Sequence, residues 1–394
     1  MRVVFSSMTA LDRLGHGEMN NEVCNAFRQL FPKVPSVSFA LAVINEHRAS
    51  GPSATPLRAG IWTRYFTIEN KKAAIAKYGL PGLFLYSLYR LYVGLLYYAK
   101  LYRVTETRDV LVDLEFEPLQ SVVFHLFSRR VPFKHHLCVV HSFPNGREKG
   151  LRRLYKKLTL LILRMYVKRS AIIGVMTEDD LNMARSLGFA EDQIVLVGWG
   201  LRKHVRACES VARRENEPIR FLMAGVLRDD KQIQRVIQFF YQLGVPDFRL
   251  LIAGAPIDVS PDTLRASINE LGMSASIEVN ARYFTDREFN ALFDESDVVV
   301  ISHDSGFHSM SGPLLTALEK RKPILCFSSN YVSRLVRTCG AGVVLSADCT
   351  MDISELRNEI RALKDLQYNI PDDFLFSWSS IVRRSATRLG IASP

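Results

Sequence analysis

Short apolar runs alternating with stretches of helical periodicity recur along the chain, and this alternation constrains the fold more than any other feature. In the first half, Val3–Ser6, Val37–Ala42, Asp109–Leu114, Leu137–His141, Ile172–Met176 and Ile194–Val197 read as strands. The pattern restarts with Arg220–Ala224, Arg249–Ala253, Ser276–Val279, Val298–Ser302, Ile324–Phe327 and Val343–Leu345. Strands separated by helices pair in parallel, so the expectation is an α/β protein with parallel sheets. At 394 residues the chain exceeds what one core serves, and two domains follow. The charged, polar stretch Arg202–Pro218 lies between the two series. The division read from this is 1–200 for a first domain, 201–218 for a linker and 219–365 for a second domain. Residues 366–394 form a helical tail that crosses back to the first domain.

Charge separates the halves. Residues 1–200 hold 27 Lys/Arg against 16 Asp/Glu, while the remainder holds 24 of each, so the whole net charge of +11 sits in the first half. A one-sided basic field points to an anionic partner such as a membrane surface, nucleic acid or phosphorylated substrate. The six cysteines are scattered without a C-x-x-C pair, which fits reduced buried thiols rather than a disulfide or zinc framework. No run of about 20 uncharged apolar residues is present, and the first residues read directly as a strand rather than a leader.

Two segments interrupt the alternation. Gly79–Arg103 is aromatic and aliphatic with Arg90 and Lys100 inside it, and reads as a helix packed on the domain or lying at a bilayer interface. In Gly150–Arg169, apolar residues including Leu154, Leu158, Leu161, Ile162 and Met165 recur at helical spacing. Between them stand Arg152, Arg153, Lys156, Lys157, Arg164 and Lys168. Such a helix suits an anionic bilayer or packs its apolar face on the core with its charges solvated.

The most informative stretch is Phe221–Phe240. A strand ends at Ala224, Gly225 allows a tight turn, and a helix is expected to begin near Lys231. A strand–loop–helix unit aims backbone N–H groups and a helix N-terminus at one crevice, where phosphates bind. Arg228 and Lys231 stand where their cations neutralise a diphosphate.

Gly225-Val-Leu-Arg-Asp-Asp-Lys231 resembles the Gly-Arg-Leu-x-x-x-Lys segment of retaining GT-B glycosyltransferases of family 4. Leu250–Gly254 is similar to that family's Leu-x-Ile-x-Gly strand, and Tyr283–Ser302 to its helix–Ala-Asp–strand passage. Within the latter, Thr285 and Glu288 form a capping box. Leu314–Pro323 and Cys339–Gly342 continue the likeness, as do Ile172–Leu187 and Ile194–Gly200 upstream, so it spans about residues 137–362. The resemblance implies two Rossmann-like domains facing a central cleft, with acceptor on the first and nucleotide sugar on the second.

The inner wall departs from the family. Its two glutamates, set around a Gly-Phe-Gly loop, contact the donor sugar and ribose. Thr316 stands at the second, and Ser305 or His308 at the first, depending on where a short insertion falls. Val226 replaces the family's arginine, with Arg228 as a shifted substitute. Ser309, Ser311 and Gly312 precede a helix whose backbone N–H groups can cradle phosphate.

On the acceptor side, Gly15, His16 and Gly17 resemble the glycine-rich loop that the family places beside the donor. His141 ends a strand as a family histidine does, and Glu115 and Glu117 follow another strand. A histidine or carboxylate there positions the acceptor hydroxyl or takes its proton. In the family the departing diphosphate itself assists that proton, which puts the weight on Lys231 and Arg228. Neither half shows a D-x-D or a metal-ligand cluster, so no metal and no cofactor beyond the UDP- or GDP-sugar substrate is expected. The reading is a retaining hexosyltransferase acting on a lipid-linked or growing cell-surface glycan, peripheral on the inner face of the cytoplasmic membrane. Its competitor is a non-catalytic homologue serving as a partner subunit. A nucleic-acid binder is suggested by charge alone, without a recognisable module, and no nucleic-acid partner is expected.

Overall fold

The computed structural model describes residues 3–7, 37–41, 109–114, 116, 135–140, 143, 150–167, 171–201, 217–244, 248–307, 310–327, 330–345, 353–370 and 377–391, with scattered helical residues within 23–30 and 88–99. They divide into a unit of Met1–Gly200 with Phe374–Pro394 and a unit of Leu201–Asp373.

The first unit holds a sheet of β1 (Val3–Ser7), β2 (Val37–Leu41), β3 (Val110–Asp113), β4 (His135–Val140), β5 (Ala171–Val175) and β6 (Ile194–Leu196). Its order is β2-β1-β3-β4-β5-β6, with every pairing parallel. Strands β3 and β5 are buried at every position, as expected of parallel strands covered on both faces. Side-chain alternation then makes two cores. Val110, Val112, Leu137, Val139 and Ile172 point to one, which the C-terminal helix Trp378–Arg388 closes with Ile381, Val382 and Ala386. Arg384 fastens that helix by donating to the carbonyls of Leu196 and Val197. Leu111, Cys138, Val140, Ile173 and Val175 point to the other core, under Tyr98 and helix Gly150–Val167.

The second unit holds β7 (Ile219–Ala224), β8 (Phe248–Ala253), β9 (Ile277–Asn280), β10 (Val298–Ile301), β11 (Ile324–Cys326) and β12 (Gly342–Val344). The order is β12-β11-β10-β7-β8-β9, again all parallel. Helix Ile233–Leu243 buries Ile233, Val236, Ile237, Phe240 and Leu243, one stripe at helical spacing. Phe240 packs against Phe221 at 4.9 Å and Phe248 at 4.8 Å between ring centroids, locking the helix onto β7 and β8. The capping box forms: Thr285 accepts from the Glu288 amide, and the Glu288 carboxylate accepts from the Thr285 amide at 2.8 Å.

Local geometry corrects one expected boundary. The chain after β7 makes a 3-10 turn at Asp229–Lys231, and the helix starts only at Ile233, because Gln232 sits in the left-handed region at φ 51°. Lys231 therefore belongs to a turn folded back toward the strand rather than to the helix.

Candidate functional site

Strand order decides where a ligand can lie in the second unit. From β7 the chain builds outward through β8 and β9, then returns to place β10 on the opposite edge of β7. Loops leaving the carboxyl ends of β7 and β10 thus diverge, and an open parallel sheet binds ligands at such a switch point. Those two loops are Gly225–Gln232 and Ser302–Ser311.

Gly225 takes φ +99°, which glycine tolerates, and leaves room for Lys231. A Cβ there would lie 2.9 Å from Lys231 Nζ and 3.0 Å from Pro313 Cγ. The Lys231 side chain is 6% exposed, and its Nζ donates to the Ala224 carbonyl at 2.7 Å. Burial, reinforced by the Arg228 charge and opposed by Asp230, brings this ammonium down to about 7. Lys231 and Pro313, in the first turn of helix Gly312–Glu319, therefore both lie beside Gly225.

Two residues that the sequence reading does not assign meet here, Asp230 from the first loop and His303 from the second. Arg228 Nη2 bonds Asp230 Oδ2 at 2.8 Å, and His303 Nδ1 lies 3.5 Å from the same oxygen. The other ring nitrogen of His303 is 3.3 Å from the Ser311 hydroxyl. Phe307 stacks on the imidazole at 3.7 Å and 9° between planes, and His303 is buried. Burial lowers the His303 pKa, and the nearby Lys231 and Arg228 charges add to this against the pull of Asp230. Burial works to raise Asp230, but His303 and Arg228 outweigh it and hold the carboxyl below its ordinary range. The Asp304 amide donates to the Asp230 carbonyl at 2.7 Å, and Asn330 Nδ2 donates to the carbonyls of Asp304 and Phe307. The first bond ties the β10 loop to the β7 loop, and the Asn330 bonds tie it to the start of helix Tyr331–Thr338.

Ser311 is the N-cap of helix Gly312–Glu319, yet its hydroxyl serves His303 rather than the helix's first amides. A helix N-terminus carries partial positive charge, and Lys231 lies near this one across Gly225. Of the residues expected at the donor, Gly225, Arg228, Lys231, Ser311 and Gly312 lie on these two loops and the helix start. Ser305 is exposed on the β10 loop. The Thr316 hydroxyl turns back to the Gly312 carbonyl at 3.2 Å. His308, Ser309, Gly15, His16, Gly17, Glu115, Glu117 and His141 lie outside the described residues.

Asp230 and His303 escaped the sequence reading because their pairing depends on β7 and β10 being neighbours. The available signal was a histidine directly after an apolar strand, in the same loop as His308.

No protein-family model matches the chain, and no curated protein matches it. Solved structures do. A sucrose-phosphate synthase from Thermosynechococcus elongatus matches at a TM-score of 0.60 and 14% identity, covering 100% of this chain and 95% of that one. An alpha,alpha-trehalose-phosphate synthase (UDP-forming) from Burkholderia xenovorans matches at 0.56 and 11% identity, covering 99% and 96%. The lipopolysaccharide outer core galactosyltransferase WaaB matches at 0.54 and 12% identity, covering 99% and 95%. Two all-parallel sheets, matched over nearly the full length of both chains in each comparison, give this protein the GT-B fold of those glycosyltransferases.

Proposed function

We propose that the chain is a glycosyltransferase that moves a hexose from a UDP- or GDP-linked donor to a lipid-linked or growing cell-surface glycan. The second unit holds the donor and residues 1–200 the acceptor, at the inner face of the cytoplasmic membrane. The observation that carries this reading is the pairing of Arg228 and His303 with Asp230 beside the buried Lys231, at the switch point next to a helix start that its N-cap side chain does not cap. Arg228 already has Asp230, whereas among the described residues Lys231 Nζ hydrogen-bonds a carbonyl and no carboxylate, so the site favours an added anion.

In this reading Lys231, Arg228 and the first amides of helix Gly312–Glu319 take the diphosphate. They stabilise the charge that grows on it as the bond to the sugar breaks, with retention and without a metal ion. Gly225 gives the phosphate close access to backbone. Ser305, His308 and Thr316 line the sugar and ribose side. Gly15, His16, Gly17, His141 and Glu117 serve the acceptor.

A second reading, a non-catalytic GT-B partner subunit, is favoured by Thr316, whose hydroxyl is spent on Gly312 where a carboxylate would hold ribose. Isothermal titration against a panel of UDP- and GDP-sugars separates the two. Binding of at least one is expected of an enzyme, and silence across the panel hands the case to the partner subunit.

A further inference from the structure

Helix Gly150–Val167 has two apolar faces, and only one of them belongs to the core. At about 100° per residue, Leu154, Leu158, Leu161 and Met165 fall within roughly 60° of arc. They are exposed by 64, 41, 55 and 44% respectively. The opposite face carries Thr159, Ile162, Leu163 and Val167, all buried against the sheet. Beside the outer stripe run the exposed Arg153, Lys157 and Arg164, and the helix holds no acidic residue.

The same layer contains a second column. The helical residues Leu88, Tyr92 and Leu96, spaced by one turn, are exposed by 46, 58 and 37%. On the inner side of that helix Tyr98 is fully buried and donates to Asp113 at 2.9 Å. Tyr98 shares its core with Ile162, Leu163 and Val167, so both helices cover the same face of the first sheet. Seven large apolar side chains are thus exposed on one layer, whereas singly scattered ones are normal for a surface.

We propose that these two outer faces together form a docking surface for an anionic lipid bilayer. The leucines, Met165 and Tyr92 enter the headgroup–acyl boundary, and Arg153 and Lys157 meet lipid phosphate. Charge complementarity chooses this occupant: an apolar stripe edged by cations, in the half of the chain that carries all of the excess positive charge, matches an acidic membrane surface. The proposal rests on the membrane part of the reading above and is independent of the donor site.

The test is flotation of the full chain with phosphatidylglycerol–phosphatidylcholine vesicles and with phosphatidylcholine vesicles alone. The expected result is selective flotation with the anionic vesicles. L158E/L161E should lower the partition coefficient at least about tenfold, because two half-exposed leucines no longer enter the apolar layer. R153Q/K157Q should lower it severalfold, and only for anionic vesicles. Both changes lie on exposed positions, and an unchanged circular-dichroism melt verifies folding. Titration with the nucleotide sugar should be the same for wild type and variants, which separates failure of the surface from failure of the donor reading. Absence of flotation with either vesicle, unaltered flotation of L158E/L161E, or a self-associated wild type that L158E/L161E renders monomeric would each overturn the proposal. The last outcome would assign the stripe to a second copy of this chain.

Discussion

On the proposed donor reading, Lys231 sets a pH dependence on nucleotide-sugar binding whose size can be worked out. Lowering its ammonium from an ordinary 10.5 to about 7 penalises the charged form by about 5 kcal/mol. The unfolded chain keeps this proton up to pH 10.5, while the folded site releases it near pH 7. Between those limits the unfolded state binds more protons, so the contribution of Lys231 to stability rises with pH and is least favourable below about pH 7. A diphosphate beside Nζ supplies the missing counter-charge and restores the proton. Donor binding above pH 7 is then coupled to uptake of about one proton, and the association constant should fall roughly tenfold per pH unit until the bound-state pKa is reached. The bridging diphosphate of a nucleotide sugar does not itself titrate there. Calorimetry between about pH 6 and pH 9, in buffers of different ionisation enthalpy, reads both the slope and the proton count. Lys231→Met should abolish the slope, weaken binding at pH 6 at least about tenfold, and stabilise the free protein at that pH by removing a buried cation. An affinity flat from pH 7 to 9, or a slope that persists in Lys231→Met, would refute the assignment; the latter would move the proton to His303.

Two substitutions probe the supporting structure. Gly225→Ala places a methyl 2.9 Å from Lys231 Nζ at a φ of +99°; a loss of about 1–3 kcal/mol in urea unfolding is expected, together with weakened donor binding as Lys231 is pushed off the Ala224 carbonyl. Tyr98→Phe removes the hydroxyl that donates to the buried Asp113 at 2.9 Å, and should cost about 1.5–3 kcal/mol in the same assay while leaving nucleotide-sugar titration unaltered.

Among the described residues the strands were legible because the inner ones carry short aliphatic runs that a parallel sheet buries on both faces; Val298–Ile301 is buried at every position, whereas the edge strands β9 and β12 are only partly buried. The start of helix Ile233–Leu243 was not, since a left-handed Gln232 has no sequence signature comparable to a glycine's. Periodicity in Gly150–Val167 revealed an apolar helix but not its two faces. Ile162 and Leu163 go inward and Leu161 and Met165 outward, and which arc the sheet takes depends on the tertiary fold. Gly225, Arg228 and Lys231 were readable within one turn. The contact of Asp230 with His303 was not, because it exists only once β10 lies against β7.

The same energetic argument weighs the two functional readings against each other. A unit kept only as a scaffold gains nothing from a buried lysine. An apolar side chain of similar length fills the space beneath Gly225 and avoids a desolvation penalty of about 5 kcal/mol below pH 7. Asp230 offsets only part of it, because it also holds Arg228 at 2.8 Å and faces His303 at 3.5 Å. Arg228 and His303 share Asp230, while Lys231 turns to the Ala224 carbonyl, so a protonated Lys231 is a cation that a bound diphosphate would match. The Thr316 hydroxyl, turned to the Gly312 carbonyl, leaves Lys231 as it is. The proposed donor reading therefore accounts for Lys231 where a scaffold does not, and a measured proton uptake on nucleotide-sugar binding would connect the cost of Lys231 to its use.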